Sequence, residues 1–157
     1  VIEDSVIDRI KHLGADRVVN SRKEDIVKVL EEERDAGHPI DVAIDCLGGS
    51  IQGKCLQYMR YGGRWIMIAT LAGDITEVDL KKLYVLNVRL IGSTLRSKKP
   101  EFKAKLLATL VKDVWPKIDT GEVRPTIYKV LPITEAEAAH AILERGENVG
   151  KVVLKVR

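Results

Sequence analysis

The sequence predicts an α/β fold in which helices cover a parallel, doubly wound sheet. Short apolar runs of strand length alternate with longer segments whose apolar residues recur at helical spacing. A run such as Val42–Ile44 is continuous, which is typical of strands buried on both faces of a parallel sheet. Glycines or small residues follow three of these runs, with Gly48-Gly49 the first case. Open parallel sheets bind ligands where their strands end in this way.

The length, hydrophobic content and charge of the chain indicate which broad class of protein it belongs to. The chain has 157 residues, of which 45% are hydrophobic and 31% charged, which suits one core of moderate size. Its longest apolar run is far shorter than the roughly 18 residues of a membrane span, and no cleavable leader is recognisable. The net charge of +3 is scattered rather than gathered into a basic stripe. We therefore expect a soluble, cytoplasmic protein that binds neither membranes nor nucleic acid.

Cysteine and histidine spacing argues against a metal centre. Cys46 and Cys55 are nine residues apart and form no CxxC pair, while His12, His38 and His140 are isolated from one another. This pattern supports neither a zinc site nor a disulfide framework. The sequence predicts two reduced thiols that pack in the interior as small hydrophobes.

The first half of the chain alternates helix and strand. A helical pattern runs from Ile2 to Leu13, with Ser5 as its expected N-cap and Gly14 as its stop. The elements that follow it are a strand at Arg17–Asn20, a helix at Asp25–Glu33, a turn at 37–39, a strand at Asp41–Asp45 and a helix at Gln52–Met59.

The second half continues the same rhythm. Gly62-Gly63 is expected to break the chain before the next strand. A helix is expected from Pro100 to about Ile118, and Thr134 with Glu137 forms a capping-box signature for a helix that ends near Arg145. The predicted strands are Arg64–Ile68, Val88–Gly92, Thr126–Leu131 and Val152–Val156.

The order of these motifs resembles the cofactor domain of the medium-chain dehydrogenase/reductases, and within them the zinc-independent quinone oxidoreductase branch. The resemblance covers essentially the whole chain and implies a Rossmann-like fold. It also implies hydride transfer from NADPH, with NADH as the alternative, to a small molecule that is a quinone or a related activated double bond. The segments that carry it are 13–16, 20–25, 41–49, 62–64, 90–96, 114–116 and 148–154.

The resemblance also implies which residues hold the cofactor. The glycine pair would give the nicotinamide half room, four residues would line its ribose and ring, and three would offer backbone groups to the carboxamide. In that order these residues are Gly48 and Gly49; Ile68, Ala69, Thr70 and Leu71; and Ser93, Thr94 and Leu95. All of these contacts position the cofactor, and the resemblance assigns no catalytic acid or base to this chain.

Three further positions are implied near the ends of the cofactor. Asn148 and Lys151 match a segment that returns toward it, where the lysine ammonium would face a phosphate; a solvated lysine at a strand start is the alternative. Ser21 stands where the family often has a tyrosine beside the adenosine. Glu3 or Asp4 would hold an adenosine ribose if the cofactor were NAD, and acids favoured by the start of a helix are the simpler interpretation.

The resemblance implies an incomplete domain. The glycine-rich phosphate loop, the first strands and an N-terminal GroES-like domain are expected before Val1, so residues 1–157 are interpreted as part of a dinucleotide-binding domain. The last strand, at about 151–156, is expected to return toward the absent domain. A gap should separate Arg17–Asn20 from Asp41–Asp45, because the two central strands of such a sheet lie between them. Exposed sheet edges then predict a homo-oligomer formed by edge pairing.

Two other functions remain open. A truncated, non-catalytic module would keep the outer surface of the fold and use Val88–Gly92 for contacts with other copies or partners. A methyltransferase also places glycines after a parallel strand, but it does not explain the segment Gly92–Arg96 and ranks last.

Overall fold

The computed structural model describes Val1 and residues 3–157. The chain divides into two compact units, Val1–Lys98 and Lys99–Arg157. Ile2, which contributes to the predicted first helix, lies outside the described residues. Within the described part, no helix is both long and apolar enough to cross a bilayer.

The first unit is a three-stranded sheet with helices. Its strands lie in the order β1-β2-β3, and both pairings are parallel, which confirms the predicted α/β class. The helices are α1 (Asp4–Ile10), α2 (Ile26–Asp35), α3 (Gly49–Cys55) and α4 (Leu80–Val85), with 3-10 turns at Lys11–Leu13 and Leu56–Tyr58. The strands are β1 (Ile40–Asp45), β2 (Met59–Met67) and β3 (Arg89–Gly92).

Helix boundaries in this unit follow local capping. Asp25 caps α2 as its side chain accepts a hydrogen bond from the backbone N–H of Val27 at 2.9 Å. Asp79 caps α4, which was not predicted, in the same way. The stop at Gly14 is confirmed, since this residue adopts φ 85° after the 3-10 turn. Ser5 was wrongly predicted as the N-cap of α1: extended Glu3 occupies that position, and Ser5 lies in the first turn.

The strand predicted at Arg17–Asn20 is wrong. No strand is described there, and the segment makes backbone bonds to Val1, whose terminal amine donates to the carbonyl of Val19 at 2.8 Å and whose carbonyl accepts from Ser21. A strand needs a ladder of several paired residues, and no strand of the described residues runs alongside this segment.

The break predicted at Gly62-Gly63 is also wrong, because β2 runs through both glycines. Ile40 pairs with Met59 while Val42 pairs with Arg64, so the register shifts between these two pairs. The additional residues of β2 have no register partner on β1 and form an irregularity in the strand. A Cβ at Gly63 would lie 2.9 Å from the carbonyl oxygen of Arg60. The glycines therefore permit a bulge within the strand instead of ending it.

The core of the first unit joins α3, β2 and the start of β3. Its buried residues are Cys55, Leu56, Met59, Trp65 and Val88. Burial raises the pKa of the Cys55 thiol to about 11, so this thiol is protonated at neutral pH. Both cysteines are free, and Cys55 is buried as predicted, whereas Cys46 is exposed because it follows the last residue of β1.

One edge of the sheet stays open. Within the described residues β1 pairs with β2 alone, and its side chains Val42 and Ile44 are exposed. The predicted gap between Arg17–Asn20 and β1 is therefore present. A cavity of about 590 Å³ lies in this region, lined by Val18 and Val19 on one side and by residues that follow β1 on the other.

The second unit contains a separate two-stranded parallel sheet, so the strands of the described residues fall into two sheets. Leu131, Ala139 and Ile142 form its buried core. Its helices are α5 (Pro100–Asp113), α6 (Trp115–Asp119) and α7 (Ala136–Glu144), and its strands are β4 (Ile127–Pro132) and β5 (Lys151–Lys155).

Two helix predictions in this unit need correction. The single helix expected from Pro100 to Ile118 divides at Val114, because Pro116 has no N–H to continue the hydrogen bonding of α5 and instead lies in the first turn of α6. The capping box does not form: Thr134 lies in a 3-10 turn (Ile133–Glu135), and α7 begins after Glu135 without a side-chain cap.

Candidate functional site

The three strands of the first unit end side by side. Asp45 pairs with Met67, and Met67 pairs with Gly92, so the chain leaves β1, β2 and β3 at the same edge of the sheet. Hydrogen bonding continues one residue beyond the strands: the N–H of Ile68 donates to the carbonyl of Asp45, and that of Ser93 donates to the carbonyl of Met67, both at 2.8 Å. We call this region the carboxyl edge, and it holds most of the predicted site residues.

The segments that leave β1 and β2 are bonded to each other. The N–H of Leu71 donates to the carbonyl of Cys46 at 3.1 Å, and that of Ala72 donates to the carbonyl of Leu47 at 2.7 Å. The N–H of Gly49 donates back to the carbonyl of Gly73 at 2.9 Å. We call residues 46–49 and 68–73 together the double loop, since this ladder joins the two segments.

The glycine pair is explained by the double loop itself. Gly48 and Gly49 have backbone φ values of 61° and 67°, which residues other than glycine rarely adopt. A Cβ at Gly48 would lie 3.0 Å from the carbonyl oxygen of Gly73, and one at Gly49 would lie 2.8 Å from that of Ala72. The glycines thus let the two segments approach closely, and their contact with a ligand stays a prediction.

Asp45, which the sequence analysis did not select, organises the start of this loop. One carboxylate oxygen accepts from the N–H groups of Leu47 and Gly48 at 2.8 and 3.0 Å, and the other accepts from the indole Nε1 of Trp65 at 3.0 Å. An aspartate that caps backbone N–H groups two and three residues on is a recognisable turn signal. The tryptophan partner, twenty residues away, has no such local signature.

The predicted ring-lining residues present an apolar surface. Ile68 and Leu71 are 52% and 79% exposed, and Ala69 is half-buried. Leu95, which was predicted to offer a backbone group to the carboxamide, is likewise 52% exposed. The hydroxyl of Thr70 donates to Asp74 at 2.5 Å and so belongs to the loop. Apolar side chains with a few polar groups are the usual lining of small-molecule sites.

The carboxamide prediction needs one restriction. Ser93, Thr94 and Leu95 follow β3 directly, as expected. The N–H of Ser93, however, is already bonded to Met67, so this residue cannot offer that donor to a ligand. Any hydrogen bond from a backbone N–H in this segment would come from a later residue.

Ser21 reaches the same region from the other side of the gap. Its hydroxyl donates to the carbonyl of Val1 at 3.2 Å. Ser21 and Gly48 both line the 590 Å³ cavity, together with Ser50, Ile51 and Ala72. The structure therefore brings Ser21 to one wall of a mostly aliphatic cavity whose opposite wall begins at the glycine pair.

The two acids near the start of the chain have protein partners. Asp4 forms an ion pair with Lys23 and accepts a hydrogen bond from the amide of Asn20 at 2.6 Å, and these contacts lower its carboxyl pKa. Glu3 is the N-cap residue of α1 and lies 3.9 Å from the guanidinium of Arg22. These contacts favour a structural role at the start of α1 over a ribose-binding role.

Asn148 and Lys151 lie in the second unit and are described there by themselves. The side-chain amide of Asn148 donates to the carbonyl of Gly150 at 2.8 Å. The backbone N–H of Lys151 donates to the backbone carbonyl of Thr126, also at 2.8 Å. Both residues shape the turn into β5. Their part in holding a cofactor stays a prediction.

No cluster of three or more metal-ligating side chains occurs among Val1 and residues 3–157. Two carboxylates at the carboxyl edge, Asp45 and Asp74, accept hydrogen bonds from neighbouring protein donors. These two carboxylates are thus engaged within the loops.

Comparison with known proteins links this architecture to one family. Residues 13–154 match the family model described as zinc-binding dehydrogenase. Quinone oxidoreductase 1 of Escherichia coli K12 is 28% identical over 148 residues, which cover 90% of this chain and 43% of that protein. D-arabitol-phosphate dehydrogenase of Enterococcus avium is 30% identical over 139 residues, which cover 87% and 37%. The chain spans between 37% and 43% of the length of such relatives.

Solved structures show the same fold. A mycobacterial quinone oxidoreductase superposes with a TM-score of 0.80 at 21% identity, covering 99% of this chain and 47% of that one. A crotonyl-CoA carboxylase/reductase in complex with NADP superposes with a TM-score of 0.75 at 17% identity, covering 99% and 42%. At these identities the likeness establishes the fold alone.

Proposed function

Since the chain belongs to the medium-chain dehydrogenase/reductase family, as the C-terminal part of its cofactor-binding domain, we propose that it presents the nicotinamide of NADPH for hydride transfer to a quinone or a related activated double bond. The family uses NAD(P)(H), and this chain is part of an oxidoreductase of that kind. The observation that carries the proposal is the carboxyl edge, where exposed Ile68, Leu71 and Leu95 follow two adjacent parallel strands.

The residues at this edge fit the nicotinamide half of the cofactor. A flat, weakly polar ring packs well against aliphatic side chains, and Ile68 and Leu71 stand on a loop that is already hydrogen-bonded. When bound, the nicotinamide supplies the hydride, and the protein orients it and keeps water away. Ile68, Leu71 and Leu95 serve that purpose by excluding water from one side of the ring.

Quinone reduction is the specific activity we propose, with NADH as the alternative donor. The similarity to quinone oxidoreductase 1 over 90% of this chain supports it. Alcohol dehydrogenases are also among the relatives, for example the NAD-dependent enzyme of Sulfolobus acidocaldarius, which is 27% identical over 146 residues. We assign no catalytic acid or base to this chain.

The test is cofactor binding by the full-length protein, measured by calorimetry with NADPH and NADH, followed by reduction of 1,4-benzoquinone. We expect binding of NADPH and quinone-dependent oxidation of it. Replacing Leu71 with aspartate should weaken NADPH binding at least about tenfold, because a charge then faces the ring. Ile75→Asp is the matched control, since Ile75 is similarly exposed, at 84%, and lies beyond the double loop. Equal effects of the two substitutions, or no nucleotide binding, would contradict the proposal.

We further propose that the protein assembles as a homo-oligomer through the outer edge of β3. This strand pairs with β2 on one side, and its apolar side chains Leu90 and Ile91 are 43% and 38% exposed. Unpaired strands with apolar side chains favour pairing with a second copy. The same surface would serve the alternative function, a non-catalytic interaction module.

Replacing Ile91 with lysine should therefore convert the oligomer of the full-length protein to a smaller species, because a lysine on an edge strand opposes pairing. Light scattering after size-exclusion chromatography measures this change. Val130→Lys, on a strand of the second unit, is the control. An unchanged mass for Ile91→Lys would exclude β3 as the interface. Retained assembly without NADPH binding would favour the non-catalytic module.

A further inference from the structure

The carboxylate of Asp45 joins three N–H donors from two segments of the chain. It lies on the last residue of β1 and is half-buried. One oxygen accepts from the N–H groups of Leu47 and Gly48, and the other accepts from Nε1 of Trp65. All three of these donors are neutral groups. Hydrogen bonds to an ionised acceptor are stronger than those between neutral groups.

Trp65 anchors one end of this arrangement in the core. It lies on β2, pairs in register with Ala43, is 8% exposed, and belongs to the cluster that contains Cys55 and Met59. An indole held by such packing keeps its N–H in one place. The Asp45 carboxylate is therefore held against a rigid partner, Trp65. Trp65 lies three residues before Ile68, the residue at which β2 leads into the double loop.

The other end of the arrangement fixes an unusual backbone. Gly48 has φ 61° and ψ −138°, a combination open to few residues other than glycine, and its N–H is one of the donors to Asp45. Gly48 also forms a bridge with Gly73, and Gly49 donates to the carbonyl of the same residue. The conformation of 46–49 thus determines where 70–73 can bond, and Leu71 lies within that ladder.

We infer that Asp45 is a positioning residue that links Trp65 to the glycine pair and thereby holds Ile68 and Leu71 where they receive the nicotinamide. The part of this inference that concerns NADPH binding rests on the proposed function. It assigns Asp45 no contact with the cofactor. Its effect passes through Gly48, Gly73 and Leu71.

The test uses the different hydrogen-bonding capacities of asparagine. In Asp45→Asn the single amide oxygen can still accept from Leu47 and Gly48, but the amide NH₂ then faces the N–H of Trp65, and two donors oppose each other. Trp65→Phe removes the indole donor. The double variant D45N/W65F removes the conflict, so it should recover part of what D45N loses if the pair acts as a unit.

Measured in the full-length protein, D45N should raise the Kd for NADPH about tenfold, the loss expected for one charge-assisted hydrogen bond. D45N/W65F should recover at least half of that loss on a logarithmic scale. Asp41→Asn is the matched control, because Asp41 lies on the same strand and pairs with Arg60 at the surface. D45N binding NADPH as tightly as the wild type, or a double variant weaker than D45N, would overturn the inference.

A second readout separates this inference from the proposed function. The indole N–H resonance of Trp65, assigned by its loss in W65F, should shift upfield in D45N, and the amides of Leu47 and Gly48 should exchange faster with solvent. Unchanged exchange at both amides would overturn the positioning role whatever the protein binds. A wild-type protein that fails to bind NADPH while D45N loosens these amides would instead contradict the proposed function alone.

Discussion

Replacing Gly53 with alanine is expected to destabilise the protein by about 3 kcal/mol, the upper range for an overpacked site. Helix propensity predicts the opposite sign, because Gly53 lies within α3 and alanine there would gain about 1 kcal/mol. The steric contact outweighs this gain, because a Cβ at this position would lie 1.7 Å from the carbonyl oxygen of Glu77. The N–H of Gly53 also donates to the hydroxyl of Thr76 at 3.0 Å, which holds the two segments together.

Urea unfolding of the full-length protein measures this effect. Gly92→Ala is the control, since beyond its chain neighbours no atom of the described residues lies within 4 Å of its Cβ position, and its φ is not in the left-handed region. We expect the control to stay within about 0.5 kcal/mol of the wild type, as is usual for uncrowded surface sites. A Gly53→Ala variant as stable as the wild type would show that the 76–77 segment can move away from α3.

Replacing Gly49 with alanine is expected to reduce both stability and cofactor binding. The residue would need a left-handed backbone, which costs about 1–2 kcal/mol for alanine. Its Cβ would also lie 2.8 Å from the carbonyl oxygen of Ala72, so the ladder between Gly49 and Gly73 would have to open. Since Leu71 belongs to the same ladder, we expect NADPH affinity to fall at least about tenfold.

Gly14→Ala separates the two causes. Gly14 has φ 85°, but apart from its chain neighbours the described part of the chain places no atom within 4 Å of its Cβ position, so alanine there carries the backbone cost without the contact. Calorimetric titration with NADPH and thermal unfolding of both variants provide the comparison. If Gly14→Ala and Gly49→Ala weaken binding equally, the close approach of the double loop is not what positions the cofactor surface.

Much of the fold follows from local signals. The strand predicted at Asp41–Asp45 is observed at Ile40–Asp45, and Asp25 caps α2, the helix before that strand, because a continuous apolar run and a capping carboxylate act within a few residues. The missed features depend on distant partners. Arg17–Asn20 has strand composition, but among the described residues no strand lies beside it. Gly62-Gly63 resembles a turn in sequence, but the pairing of β2 with β1 places it in a bulge.

The candidate site divides in the same way. Small residues after three apolar runs were enough to predict that one edge of the sheet presents the functional surface, and the register of Asp45, Met67 and Gly92 confirms that the three exits are adjacent. The role proposed for Asp45 was missed, because one of the three hydrogen bonds that it accepts comes from Trp65 on another strand.

Periodicity and neighbouring residues were thus enough to predict the parallel α/β class, the strand that leads to the glycine pair and the edge at which three strands end. The tertiary structure was needed to show which backbone atoms approach the glycines and which hydrogen bonds fix their conformation. Gly49 is crowded by Ala72, and the carboxylate beside the glycine pair is tied to a tryptophan twenty residues away. Contacts of that separation are set by how strands align in the sheet, and no local pattern encodes them.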